Sequence, residues 1–368
     1  MKDGSKLNGT ILDEDETHYT ARIAIKPTIF ENKKLAKADV EKIIPEAADL
    51  EDYQALKPLK TPGDLSQASD YDSQLAKLNN FIKKHPDSSH LEEIKAHKAE
   101  LEAEKSKLEA GQIKIDGTWL SGDDILRRQI EIDSKLLLKE MRDHYRQGFM
   151  ISALRSFHAQ APQFESTETF KEILDLAGKS MIRYDAYLNK EIPAAKERIE
   201  KRDRGMAGLS QTDRERLKNL MKEEESKFAE LAAKDEEDGQ IWLNLSAYDS
   251  DGLEDAQQLI KRQQQRLEQL NNRCQQEAEK PSAEAVFASF WKAIDDKDDR
   301  AANEAKNTLS SMRLDEKYLQ PVESALEGLK EQLAAEQEAE SKKAEADAAK
   351  AEEKKADDPE EAEPKTKA

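Results

Sequence analysis

Apolar residues along this chain follow two rhythms. Up to about residue 45 they come in short runs broken by turn residues: Leu7, Thr10-Ile11-Leu12, Tyr19, Ile23, Ile25, Ile29-Phe30, Leu35 and Val40. That is a strand pattern. Gly9 sits where a strand would bend sharply, and Lys37-Ala38-Asp39-Val40 leads into Ile43-Ile44 and stops at Pro45. Four or five short strands in this order predict a small SH3-like or Sm-like β-barrel over residues 1–45.

A linker rich in acidic residues and proline follows over 46–65, and the rhythm then changes to one apolar residue every three or four positions, the signature of amphipathic helices. Tyr71, Leu75, Leu78 and Ile82 share a helical face that ends at Pro86, and Leu91, Ile94, Lys98, Leu101, Lys105 and Leu108 form a heptad stripe interrupted by two lysines. Ser88 or Ser89 is placed to cap this second helix. Leu75, Leu78, Phe81 and Pro86 recur 76 positions later as Ile151, Leu154, Phe157 and Pro162. A helix, a proline turn and a second helix, used twice, is the grammar of stacked helical-hairpin repeats, which form surfaces for other proteins.

Between the two copies, Ile113-Lys114-Ile115 and Thr118-Trp119-Leu120 flank Asp116-Gly117, a two-residue hairpin signal. Ser121 is placed to cap one helix over 122–146. A long helix is expected over 167–204, kinked near Asn189 by Pro193, and a returning helix over 213–237 with Thr212 and Glu215 as a capping box. Leu217, Leu220, Met221, Phe228 and Leu231 would face back, giving a long antiparallel coiled-coil hairpin. Gly239-Gln240-Ile241 echoes Gly111-Gln112-Ile113. Leu253, Ile260, Leu267 and Leu270 form a coiled-coil seam that would pack within the chain or against a second copy, with Cys274 at its next position. The expected organisation is mainly α: the barrel, the linker, a helical repeat and coiled-coil domain over 66–275, three short helices over 282–337 around Phe287, Phe290 and Trp291, and an Ala/Glu/Lys tail over 338–368 that is too polar to bury a core and is expected to be disordered or a frayed helix.

Composition narrows the function. Charged residues make up 37% of the chain and aromatics 5%, which suits long helices that each bury a narrow stripe. The net charge of −19 disfavours nucleic acid and anionic lipid. The single Cys274 excludes an intramolecular disulfide and any cysteine zinc site. No stretch approaches the roughly 20 apolar residues of a membrane span. Lys2-Asp3-Gly4 reads as a hairpin turn with almost no strand before it, which implies a start upstream and, with an upstream signal peptide, a periplasmic or envelope location; otherwise the protein is cytoplasmic.

Catalytic and metal signatures are missing. There is no His-Glu-x-x-His, Cys-x-x-Cys, phosphate-cradling glycine loop or Gly-x-Ser-x-Gly. His90 and His97 lie two turns apart, a spacing that suits a solvated helix face, and His144 reads as an exposed helix residue. Asp249-Ser250-Asp251-Gly252 resembles the middle of a calcium loop, but Ala247 and Gln258 fall where ligands are needed, so a turn and helix cap is the better reading. No catalytic, cofactor or metal residue is therefore assigned. Trp119 and Trp242 each follow a chain reversal; they pin a β element onto the helices or, on a sharper reading, offer two interaction platforms.

The N-terminal strands, the Thr61-Pro62-Gly63-Asp64-Leu65 stretch and the two Phe-x4-Pro segments together resemble the PTPDL family of verrucomicrobial-type bacterial proteins over about residues 1–272. Lys60 stands where that family's motif has its first proline, and Gly63 is inserted. The helix-turn-helix units are also similar to tetratricopeptide hairpins. The resemblance implies an exported protein and carries no chemistry. The expectation is a non-enzymatic envelope scaffold with a protein partner, no cofactor, no nucleic acid and self-association through the coiled-coil stripes. The alternative is a cytoplasmic Sm-like RNA binder with helical extensions.

Overall fold

The computed structural model describes residues 2, 7, 9–26, 29–40 and 49–356. The chain forms two compact units, Met1–Ala110 and Gly111–Ala368. Gly111 adopts φ +79°, a left-handed conformation that glycine takes without strain after a helix. The boundary lies inside the span 66–275 that periodicity groups as one domain. Helices flank it on the N-terminal side and resume soon after it, so apolar spacing alone gives no sign that the core changes.

In the first unit β1 (Gly9–Glu14), β2 (His18–Lys26) and β3 (Ile29–Ala36) form an antiparallel meander in the order β1-β2-β3. A Cβ on Gly9 would lie 2.3 Å from the Arg22 carbonyl oxygen, so this glycine serves close strand approach. The expected SH3/Sm-like barrel is not formed. The described sheet has three strands and stays open: β3 runs into a 3₁₀ turn, Lys37–Asp39, instead of a further strand, and every residue of β1 is exposed. Closure requires the last strand to return to the first. Residues 43–45, assigned to the end of the barrel, lie outside the described residues.

The expected linker contains a helix, α1 (Leu50–Leu56), which packs on α2 (Ala68–Lys84); α3 (Leu91–Glu109) returns after the His85-Pro86 turn. Tyr53, Tyr71, Leu75, Leu78, Phe81, Ile94 and Leu101 make this unit's helical core. The buried line on α3 uses His97 rather than Lys98. His97 bonds Glu100 at 3.3 Å, while Lys105 reaches out to Asp72 at 2.7 Å. His90 stacks on Tyr53, with ring centroids 3.7 Å apart. The two histidines are thus packed, not a solvated face. Ser88 Oγ accepts from the His90 N–H at 3.1 Å, and His85 Nε2 lies 2.6 Å from Asp52, which ties α1 to the turn.

The second unit opens with β4 (Ile113–Ile115) and β5 (Thr118–Leu120), joined by Asp116 and Gly117 at φ +50° and +73°. Positive φ at both turn residues is the hairpin geometry the Asp-Gly pair specifies. The expected single helix is two, α4 (Asp123–Arg127) and α5 (Gln129–Gln147), broken at Arg128, and Gly122 rather than Ser121 stands at the first cap. After α6 (Met150–Gln160), Pro162 sits in a 3₁₀ turn, Ala161–Phe164, which leads towards α7 (Phe170–Ala207). Both copies of the repeat are therefore helix-turn-helix units. α7 remains one helix through Pro193.

α8 (Gln211–Glu237) is capped by Ser210, which accepts from the Asp213 N–H, not by Thr212 with Glu215. The capping chemistry is as expected but sits two residues earlier. α9 (Ser250–Gln276) is capped by Asp249, α10 (Ala283–Asp295) by Ser282 and α11 (Asp299–Ser311) by Asp298. α12 (Glu316–Ala356) completes the unit. Its first turns carry Tyr318, Val322, Leu326 and Leu329 into the core, while residues 334–346 are exposed. The tail expected from 338 is thus helical to Ala356; residues 357–368 lie outside the described residues.

Two buried clusters hold this unit together. One joins α5, the start of α7 and α10–α12 around Met141, Phe164, Phe170, Phe290 and Tyr318, so the helices of 282–337 share a core with the preceding helices. The other joins α6, the middle of α7, α9 and Trp242.

Candidate functional site

The coiled-coil seam lies inside the second unit. Leu253 and Ile260 are buried with Met181, Tyr184 and Leu188 of α7; Leu270 belongs to the other cluster, and Leu267 touches both. A Cβ on Gly178 would lie 3.2 Å from Leu267 Cδ2, so glycine lets α7 and α9 approach closely. The tight helix pair is therefore α7–α9, and the stripe packs within the chain. Cys274 is half-buried against the first cluster, and burial pushes its thiol pKa up.

The two tryptophans have different settings. Trp242 is buried, with its ring edge-on to Tyr184 at 6.4 Å. It is a core residue, not an open platform. Trp119 is half-buried opposite Lys114 on the small hairpin, and the Lys114 ammonium lies 5.7 Å from its ring centroid.

Behind Trp242 lies a polar anchor that sequence reading missed. The Asp235 carboxylate, 7% exposed, accepts from Arg155 Nη2 at 2.6 Å and from Asn244 N and Nδ2 at 3.0 and 3.1 Å. Arg155 Nε donates to the Trp242 carbonyl at 2.7 Å. This fastens the C-terminal end of α8 to α6. At the other end Arg214 donates to the carbonyls of Met206, Ala207 and Leu209. Asp235 is the one buried residue of the 27 in α8. Leu217, Met221 and Phe228 are half-buried, while Leu220 and Leu231 are 53% and 46% exposed. The expected coiled-coil hairpin is thus a long, tethered helix with Leu220 and Leu231 left open. Aspartate and arginine are common on helix surfaces, so only the three-dimensional pairing of residues 80 apart reveals the anchor.

A second feature is a cleft of about 380 Å³. One wall comes from α4–α5 and carries Arg127, Arg128, Glu131 and Lys135 around Ile130; the other comes from the starts of α7 and α10. The cations on the first wall are matched. Arg127 makes a two-pronged pair with Asp295 at 2.6 and 2.8 Å. Arg128 does the same with Glu131 at 2.8 Å through Nε and Nη2, and also reaches Asp116 at 3.1 Å. Lys135 bonds Asp116 and Glu131. These partners hold the Glu131 and Asp116 carboxyl pKa values below the usual range and raise that of Lys135 against burial.

The acids of the second wall are not so matched. The Glu284 carboxylate accepts from the Glu168 N–H at 3.2 Å, and Ser282 Oγ donates to Glu168 Oε1 at 3.2 Å. Neither glutamate has an ion-pair partner among the described residues. Burial, reinforced by the Glu168 charge, pushes the Glu284 carboxyl up.

The other candidates resolve into structure. Asp249, in the calcium-like run, caps α9 by accepting from Gly252 N at 2.9 Å. His144 is half-exposed with Glu140 at 3.7 Å. No group of three or more metal-ligating side chains is gathered among the described residues. No helix among them is long and apolar enough to cross a membrane. Comparisons with protein-family models, curated proteins and solved structures found no match.

Proposed function

We propose that this protein is a non-enzymatic scaffold that presents α8 to a protein partner. The carrying observation is a 27-residue helix fixed at both ends, with one buried residue and with Leu220 and Leu231 uncovered. Eleven residues span about three helical turns, so the two leucines fall on one face. Glu224 and Lys227 share that face between them, so it offers a partner two apolar contacts separated by charged residues. Glu223-Glu224-Glu225 lies between them, so the matching groove has a basic rim. The cell envelope is proposed as its location on the strength of the resemblance to PTPDL proteins. The Sm-like RNA-binding alternative loses its structural premise, because the sheet is open.

The test is co-purification of the tagged chain from its native host, comparing wild type with the Leu220→Asp/Leu231→Asp double variant. Both side chains are substantially exposed, so the variant should melt within about 1 °C of wild type, in keeping with the small cost of most surface substitutions. The expected result is loss of a specific partner at unchanged stability. Equal recovery of the same partners would refute the role of α8.

A further inference from the structure

The 380 Å³ cleft of the second unit is of a size that holds small ligands, and its charges are unevenly satisfied. On the α4–α5 wall, Arg128 uses Nε and Nη2 for Glu131 and Asp116, and its Nη1 makes no bond among the described residues. On the opposite wall, Glu168 and Glu284 stand together without a cation. Ala285 and Ala288 supply apolar surface to the same cleft. One turn beyond Ala288, Trp291 buries its indole Nε1 without a partner, and the Arg127 guanidinium lies 5.4 Å from its ring centroid.

We propose that this cleft binds a small zwitterion, a free α-amino acid or a dipeptide, with its ammonium group on Glu168 and Glu284 and its carboxylate on Arg128. The ligand supplies the cation that the glutamate pair lacks and an acceptor for the open Arg128 Nη1, while its aliphatic part covers Ala285 and Ala288. Glu284 accepts the Glu168 N–H, but its half-buried charge has no counter-ion, and such an electrostatic cost is characteristic of binding sites. The inference is independent of α8.

The experiment is titration calorimetry on the full chain with L-alanine, L-leucine, L-glutamate, L-lysine and alanyl-leucine, beside butylamine and butyrate. At least one zwitterion should bind with Kd of about 1 mM or tighter, and butylamine and butyrate at least roughly tenfold more weakly. The Glu168→Gln/Glu284→Gln variant should lose about tenfold or more in affinity without a lower melting temperature. Alanine-methyl labelling gives a readout that needs no variant: the methyl signals of Ala285 and Ala288 should shift on titration. Absence of binding at about 10 mM, butylamine binding as tightly as any zwitterion, or unchanged affinity in the double variant would each overturn the proposal.

Discussion

At the scale of single residues, the buried Asp235 and the half-buried Glu284 separate structural from binding chemistry. Asp235 is fully bonded by Arg155 and Asn244, so it anchors. Removing one partner of a buried pair leaves the other charge uncompensated, at about 3–5 kcal/mol. Asp235→Ala should therefore lower chemical-denaturation stability by about that amount, since the Arg155 side chain is only 24% exposed. Glu284 behaves oppositely. Its pKa is raised in the folded state above the ordinary 4.5. A group with a raised folded pKa contributes stability that is complete below the unfolded value and is lost as pH rises through the folded one. The groups lining the cleft with it are Glu168, Glu131, Arg127, Arg128 and Lys135. Glu284→Gln removes the penalty, so it should melt higher than wild type at neutral pH, with the gap closing towards pH 4. A Gln variant that melted lower than wild type at neutral pH, with the deficit shrinking on acidification, would mean that Glu284 is a stabilising ion-pair member.

At the scale of elements, the close approach of α7 and α9 depends on Gly178. An alanine there meets only the flexible end of Leu267, but a larger side chain must part the helices. Gly178→Leu should cost roughly 1–3 kcal/mol of stability, whereas Gly148→Leu, 3.9 Å from the end of Arg183, tests only the strain of a left-handed cap. Helices were the legible part of this sequence. Three-to-four spacing located α2, α3, α6, α7 and α9, and Asp-Gly located the β4–β5 hairpin, because these signals are local. Caps were less legible. Ser210 and Thr212 carry the same hydroxyl, and the choice depends on where the chain leaves α7. That the sheet stays open was not legible, because alternation reports strands and says nothing about whether the last returns to the first. The cleft was equally hidden: Arg128, Glu168 and Glu284 are brought together by helices far apart in sequence.

At the scale of the whole molecule, a chain with 37% charged residues builds its second unit from long helices that share two cores and leave one helix, α8, largely outside both. The seam read as a route to self-association is occupied within the chain, so the face of α8 that leaves Leu220 and Leu231 open becomes the surface on which a partner role rests. The most direct test of that role is site-specific photo-crosslinking in the native host, with a photoreactive residue at Leu220, at Leu231 and at the exposed control position Lys171. The account predicts one common protein partner captured from both α8 positions, through a basic-rimmed groove, and not from the control. Capture of the same proteins from all three positions, or of none from α8, would contradict it.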